Sequence, residues 1–218
     1  MGAALLKKQF ESVLGGHLEW QSQIAPERVS TGISGISLPR GGLTEIFGPA
    51  SSGRAGLLIS ILAQATAREE MCAVVDAEDG FDPTTASAAG VDLARLLWVR
   101  CRHNAEHALK AADLLIQGGG FGVVAMELGG TSPATARRIS LTSWFRLRRA
   151  VEHTPTVLVA VARQSNAKTC ASLILECRRE QAVWRGAPGF RLLRGIAVRA
   201  TSTHRSMQCS PVFMAKAI

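Results

Sequence analysis

Residues Gly48 to Ala55 read GPASSGRA, with Gly48 and Gly53 at the spacing of a loop whose successive backbone N–H groups converge on phosphate. Such an octapeptide alone is usually a surface turn, so its setting decides what it means. Before it lies Leu43-Thr44-Glu45-Ile46-Phe47, a short β-rich segment. After it, Gly56 to Arg68 places apolar residues at 57, 58, 61, 62 and 65, which is helical spacing. Strand, glycine loop and helix in that order is the context of a working phosphate-binding loop.

The cradle is expected from Gly48, Pro49, Ser51, Ser52, Gly53, Arg54 and Ala55. Two of these depart from the working pattern. A lysine normally reaches the terminal phosphate and a following Ser/Thr hydroxyl holds Mg²⁺. Arg54 keeps a charge, but its planar fork is bulkier than an ammonium. Ala55 has no oxygen for a metal. Hydrolysis of ATP is therefore expected to be slow or absent, with weak binding of ATP and Mg²⁺ through the remaining amides and no cofactor required.

At 218 residues and 47% hydrophobic content, the chain suffices for one buried α/β domain with a small appendage. Its five cysteines include no C-x2-C pair, which speaks against a disulfide framework and for a reducing, cytoplasmic setting. No apolar run reaches the roughly 18 residues that span a bilayer, and no signal-peptide core precedes the domain. A soluble protein with no membrane partner is expected. The net charge of +8 is one-sided: residues 1–130 hold 10 Lys/Arg against 14 Asp/Glu, and residues 131–218 hold 15 against 3. A basic C-terminal third suits a polyanion, either nucleic acid or an acidic protein surface, the plain alternative being a solvated face.

Residues 3–13 predict an amphipathic helix ended by Gly15-Gly16, and Ile24 to Gly42 reads as a connecting segment. Apolar runs at Cys72–Val75, Leu96–Val99, Gly122–Leu128 and Thr156–Ala162 alternate with helical patterns at Asn104–Gln117 and Pro133–Val151. Alternation of this kind predicts a central, mostly parallel sheet flanked by helices, with ligands at the carboxyl ends of its strands. Ser172–Cys177, Gln181–Trp184, Phe190–Leu193 and Ile196–Ala200 read instead as short antiparallel strands, with a turn at Ala187-Pro188-Gly189.

Several segments together resemble the RecA recombinase family in its core ATPase domain. They are Val29–Arg54, Val74–Leu97, the strand Gly122–Leu128, Thr156–Gln164 and the short Lys7–Phe10, in order and without large insertions. The resemblance implies a RecA-like P-loop core over residues 29–218, with residues 1–28 as N-terminal helix and linker. It places Glu78 where the family activates the attacking water, Gln164 where it senses the γ-phosphate, and Asp82-Pro83 beside the adenine, with Thr85 in place of a stacking aromatic. Glu127, or Met126 one residue earlier, falls at the acidic residue that follows the hydrophobic strand. The long glycine-rich DNA-binding loop is reduced to Ser165–Ala171. The lysines that the family inserts into a neighbour's site have no secure counterpart near Thr201–Arg205. Degenerate, shortened RecA relatives of this kind resemble the ImuA-type accessory proteins of SOS mutagenesis. That resemblance implies an ImuB-type polymerase relative, an error-prone replicative-type polymerase and RecA as partners, and admits single-stranded DNA and a homo-oligomer. SulA-type division inhibitors are neighbouring relatives, and a weak DNA-stimulated ATPase is the enzymatic alternative.

Other groupings carry two readings each. Asp76, Glu78, Asp79 and Asp82 could hold a water or a metal, but with Ala55 the plain reading is a solvated acidic loop and no metal site. His103 and His107, four apart, read as surface helix residues without a third ligand. On the predicted Pro133–Val151 helix, Arg138, Phe145 and Arg149 can share a face for single-stranded DNA, unless Leu141, Trp144 and Leu147 pack on the sheet and the arginines snorkel. Arg163 and Lys168, with Arg178 and Arg179, complete the candidate DNA-binding set.

Overall fold

The structure is a computed structural model, and it describes residues 27–187, 189–202 and 210–216. The predicted helix at 3–13, with Lys7–Phe10, lies outside the described residues, as do Thr203 to Arg205.

The chain enters through β1 (Arg28–Ser30) and β2 (Ser37–Pro39), an antiparallel pair in register Val29 to Leu38. This differs from a connecting segment: Val29, Ile36 and Leu38 are buried and belong to the core. Apolar residues spaced along 29–38 outweigh the Ser and Gly between them, and burial draws the segment onto the domain.

The main elements then alternate. β3 (Gly42–Phe47) leads into α1 (Arg54–Ala67), β4 (Cys72–Asp76) into α2 (Pro83–Ala88), and β5 (Leu96–Arg100) into α3 (Ala105–Gly118). After β6 (Val123–Glu127) come α4 (Pro133–Ala136), α5 (Leu141–Val151) and β7 (Val157–Ala162). The chain ends in β8 (Leu173–Arg185), β9 (Leu192–Ser202) and β10 (Val212–Lys216). Eight strands form one sheet in the order β10-β9-β8-β3-β7-β6-β4-β5, parallel from β8 to β5 and antiparallel across β8-β9-β10. β4 and β7 are buried along their whole length, as a parallel sheet covered on both faces requires.

One face packs against α1, α2 and the β1–β2 pair, the other against α3 and α5. The first cluster reaches β9 through Val198 and Ala200 and takes in Phe213 and Ala215 of β10. The second includes no residue of β9 or β10.

Two expectations change. The single helix predicted over Pro133–Val151 is two, because Ser140 caps a new start by accepting the Ser143 N–H at 3.1 Å. The four short C-terminal strands are two long ones, continuous through register shifts at Arg179/Gln181 and Val183/Trp184. Among the described residues, no helix is long and apolar enough to cross a membrane.

Candidate functional site

The carboxyl ends of β3, β4, β6 and β7 meet at one edge of the sheet, and the loops that follow them build the candidate site. The glycine loop is packed tightly from below. A side chain on Gly48 would run into the Cys177 carbonyl of β8, and one on Gly53, at φ +88°, into Val198 of β9. Only glycine satisfies both the left-handed backbone at 53 and that approach. Ser52 is buried with its Oγ unpartnered among the described residues, whereas Pro49, Ala50, Ser51 and Ala55 are exposed. Helix α1 starts from Gly53 with no side-chain cap and no acidic residue in its first turn.

Arg54 spans this loop. Its Nη1 donates to the carbonyls of Gly48 and Pro49, each at 2.6 Å, and its Nη2 donates to the Gly129 carbonyl at 3.0 Å. The guanidinium thus joins the glycine loop to the loop after β6. Arg163 donates from Nε to the same Gly129 carbonyl at 2.8 Å. A side chain on Gly129 would collide with Glu127 and Arg54.

Glu127 ends β6, and its Oε1 accepts the Gly129 N–H at 2.7 Å. Burial pushes this carboxyl up to about 7; the Gly129 bond and the charge of Arg54 pull the other way without prevailing. Met126 points into the core on the α3–α5 side. Of the two residues that could face the cradle, it is Glu127 whose carboxylate senses Arg54.

The acidic residues after β4 each have an occupation. Asp76 is wholly buried and accepts from the backbone of Glu78, Gly80 and Phe81 and from the Trp98 indole. A solvated loop is therefore not what forms at Asp76: its carboxylate organises the turn after β4. Asp79 pairs bidentately with Arg100, both bonds 2.9 Å. Asp82 caps α2 through the Thr84 and Thr85 N–H groups. Glu78 takes the His103 ring at 2.7 Å and the Thr131 hydroxyl at 3.1 Å. His103 precedes α3 in a left-handed conformation, and its bond to Glu78 raises its pKa. His107 alone of the two histidines is a helix residue, exposed on α3. Among the described residues, no group of three or more His, Cys, Asp or Glu is arranged to hold a metal.

Gln164 is exposed directly after β7, beside Arg163. The loop behind it is fixed by a residue that sequence reasoning passed over. Glu45, fully buried on β3, accepts the Ser165 hydroxyl at 2.6 Å, the Asn166 N–H, and the Ala167 N–H at 2.9 Å. The signal was present as a carboxylate inside an otherwise uncharged strand.

The candidate DNA-binding residues occupy separate elements. Arg163 and Lys168 follow β7, and Arg178 and Arg179 are neighbours on β8, pointing to opposite faces as successive strand residues must. Arg138 precedes α5 and lines a groove of about 590 Å³ with His103, Lys110 and Arg146. Arg149 is exposed within α5. The break at Ser140 therefore removes the single helical face proposed for Arg138, Phe145 and Arg149. Trp144 and Leu147 pack into the core as the alternative expects, whereas Leu141 is exposed.

Comparison with known proteins agrees with this geometry. Residues 21–132 match the RecA N-terminal domain family. Protein RecA of Haemophilus ducreyi is 39% identical over 108 residues, a match that covers 46% of this chain and 29% of that protein's length. The family match holds the glycine loop, Glu78, Asp82 and Glu127; β7 to β10 lie beyond it.

Proposed function

The chain belongs to the RecA family, and from that premise we propose that it is an accessory protein of DNA damage tolerance, an ImuA-type adaptor in SOS translesion mutagenesis. The observation that carries this reading is the Arg54 bridge. A guanidinium tied to the carbonyls of Gly48, Pro49 and Gly129 closes the cradle with the protein's own charge.

Mg·ATP fits these residues poorly. Phosphoryl transfer needs a cation free to follow the phosphates and a hydroxyl on the metal. Arg54 is committed to carbonyls, Ala55 supplies a methyl group, and Glu78 is held by His103 and Thr131. Thr85, which stands where a base-stacking aromatic would be, hydrogen-bonds to Asp82. On this reading no cofactor is required, and any ATP binding is weak.

A platform with an idle site acts through surfaces. The proposed partners are an ImuB-type polymerase relative, an error-prone replicative-type polymerase and RecA, with single-stranded DNA at the basic C-terminal third, in the cytoplasm. A cell lacking the gene tests this. Damage-induced mutation should fall to the uninduced level and be restored in full by the Glu78→Gln variant. Restoration by the native chain but not by Glu78→Gln would overturn the non-catalytic reading. Cell filamentation on expression, with capture of the tubulin-like division protein, would overturn the damage-tolerance reading in favour of a SulA-type inhibitor.

A further inference from the structure

Helices α3 and α5 both begin at one groove of about 590 Å³, whose lining includes their capping residues Asn104 and Ser140. The positive ends of two helix dipoles therefore lie at the same space. The break before α5 shapes the groove: it sets Ile139 down among the core residues and leaves Arg138 exposed. Ala105, Leu109 and Ile139, all members of that core cluster, keep 7%, 8% and 9% of their surface and give the groove an aliphatic floor.

The walls are cationic. Lys110 of α3 and Arg138 are exposed, and neither makes an ion pair among the described residues. Arg146 of α5 lies 3.6 Å from Asp113 of α3, an ion pair that ties the two helices together. His103 is held by Glu78 at 2.7 Å. Among the described residues that line the groove, Glu106 alone is acidic.

These features discriminate among occupants. A single strand of nucleic acid calls for rings on which its bases stack. Among the described residues, none lining the groove is aromatic. A membrane surface calls for an apolar face that projects, whereas the apolar groups here lie at the base of a cleft. A peptide with carboxylates on either side of an aliphatic side chain meets the floor, the free cations and the helix N-termini together. We infer that the groove between the N-terminal ends of α3 and α5 is a docking site for an acidic segment of a protein partner, with an aliphatic side chain on Leu109 and Ile139 and carboxylates at Lys110 and Arg138. The inference deepens the adaptor reading, on which the partner's cellular role rests, by naming the chemistry that holds the partner. It assigns Arg138 to a protein contact in place of the nucleic-acid contact expected from its sequence.

The test uses the full chain and a fluorescein-labelled nonapeptide of three Asp-Leu-Glu repeats, followed by fluorescence anisotropy. The native chain should bind this peptide and not its Asn-Leu-Gln counterpart. Replacing Lys110 and Arg138 together with Ala should weaken binding roughly 3- to 30-fold, the range for two exposed charge pairs. Glu106→Gln, which removes the opposing charge, should strengthen it. All three side chains are exposed, so an unchanged melting temperature confirms that each variant folds. No binding of the acidic peptide, equal affinity in the Lys110→Ala, Arg138→Ala double variant, or loss instead in a chain with Arg185, Arg191 and Arg194 replaced by Ala would overturn the inference. So would binding of a thirty-residue oligothymidylate that the peptide displaces and the double variant loses. In the cell lacking the gene, the double variant should fail to restore damage-induced mutation. Full restoration by it would overturn the inference and leave the adaptor reading standing, whereas failure of the native chain to restore mutation would overturn the adaptor reading and leave the peptide measurements as they are.

Discussion

Arg54 offers N–H donors in one plane, and that planarity lets a single side chain bind the two walls of the cradle together. A lysine ammonium could serve one wall and leave the other. Beside it, the Glu127 carboxyl is pushed up to about 7 by burial, which the Gly129 N–H and the charge of Arg54 only partly offset. The sign of the consequence follows. A carboxyl with a folded pKa above its unfolded value of 4.5 binds its proton more tightly in the native state. The contribution of Glu127 to stability is then fully present below about 4.5 and is lost as pH rises through about 7. Glu127→Gln keeps the acceptor for Gly129 and removes the ionisation. Its melting temperature should match the native chain's at acid pH and exceed it at pH 8, by a stability difference on the order of 3 kcal/mol. Equal melting curves for the two proteins at pH 8 would mean that Glu127 is not desolvated.

The elements show what a sequence discloses and what it hides. Strands β3, β4, β6 and β7 and helices α1 and α3 were legible because each is a short apolar run or a period-3.6 pattern bounded by turn residues. The break between α4 and α5 was not, since no Gly or Pro interrupts 134–151 and Ser140 alone signals it. A serine reads equally well as a helix-surface residue until the bond from the Ser143 N–H is seen. Ser140→Ala should cost about 1 kcal/mol, the usual worth of an N-cap, and urea denaturation measures it. The hairpin misled for another reason. Arg178-Arg179-Glu180 interrupts the apolar pattern and suggests a strand end, yet the chain continues through a bulge in which Glu180 meets Arg199 across the ribbon. At the site, the loop positions could be named from spacing alone. The duties of Asp76 and Glu45, each satisfied by backbone donors distant or close in sequence, depend on tertiary placement.

Across the whole molecule, the sheet keeps a RecA-like α/β architecture, while the loops at the carboxyl ends of its strands are internally satisfied. Carbonyls that would neighbour a nucleotide are taken by Arg54 and Arg163, and the carboxylate of Glu78 by His103 and Thr131. Among the described residues, the core cluster on the α3–α5 side of the sheet takes in no residue of the antiparallel strands β9 and β10. On the proposed reading, the chain is a rigid body that presents surfaces and does not cycle. Phosphate release by the purified chain under saturating Mg·ATP, with and without single-stranded DNA, tests this most directly. The account predicts a rate at background in both conditions and no difference from Glu78→Gln. A DNA-stimulated rate that Glu78→Gln abolishes would contradict it.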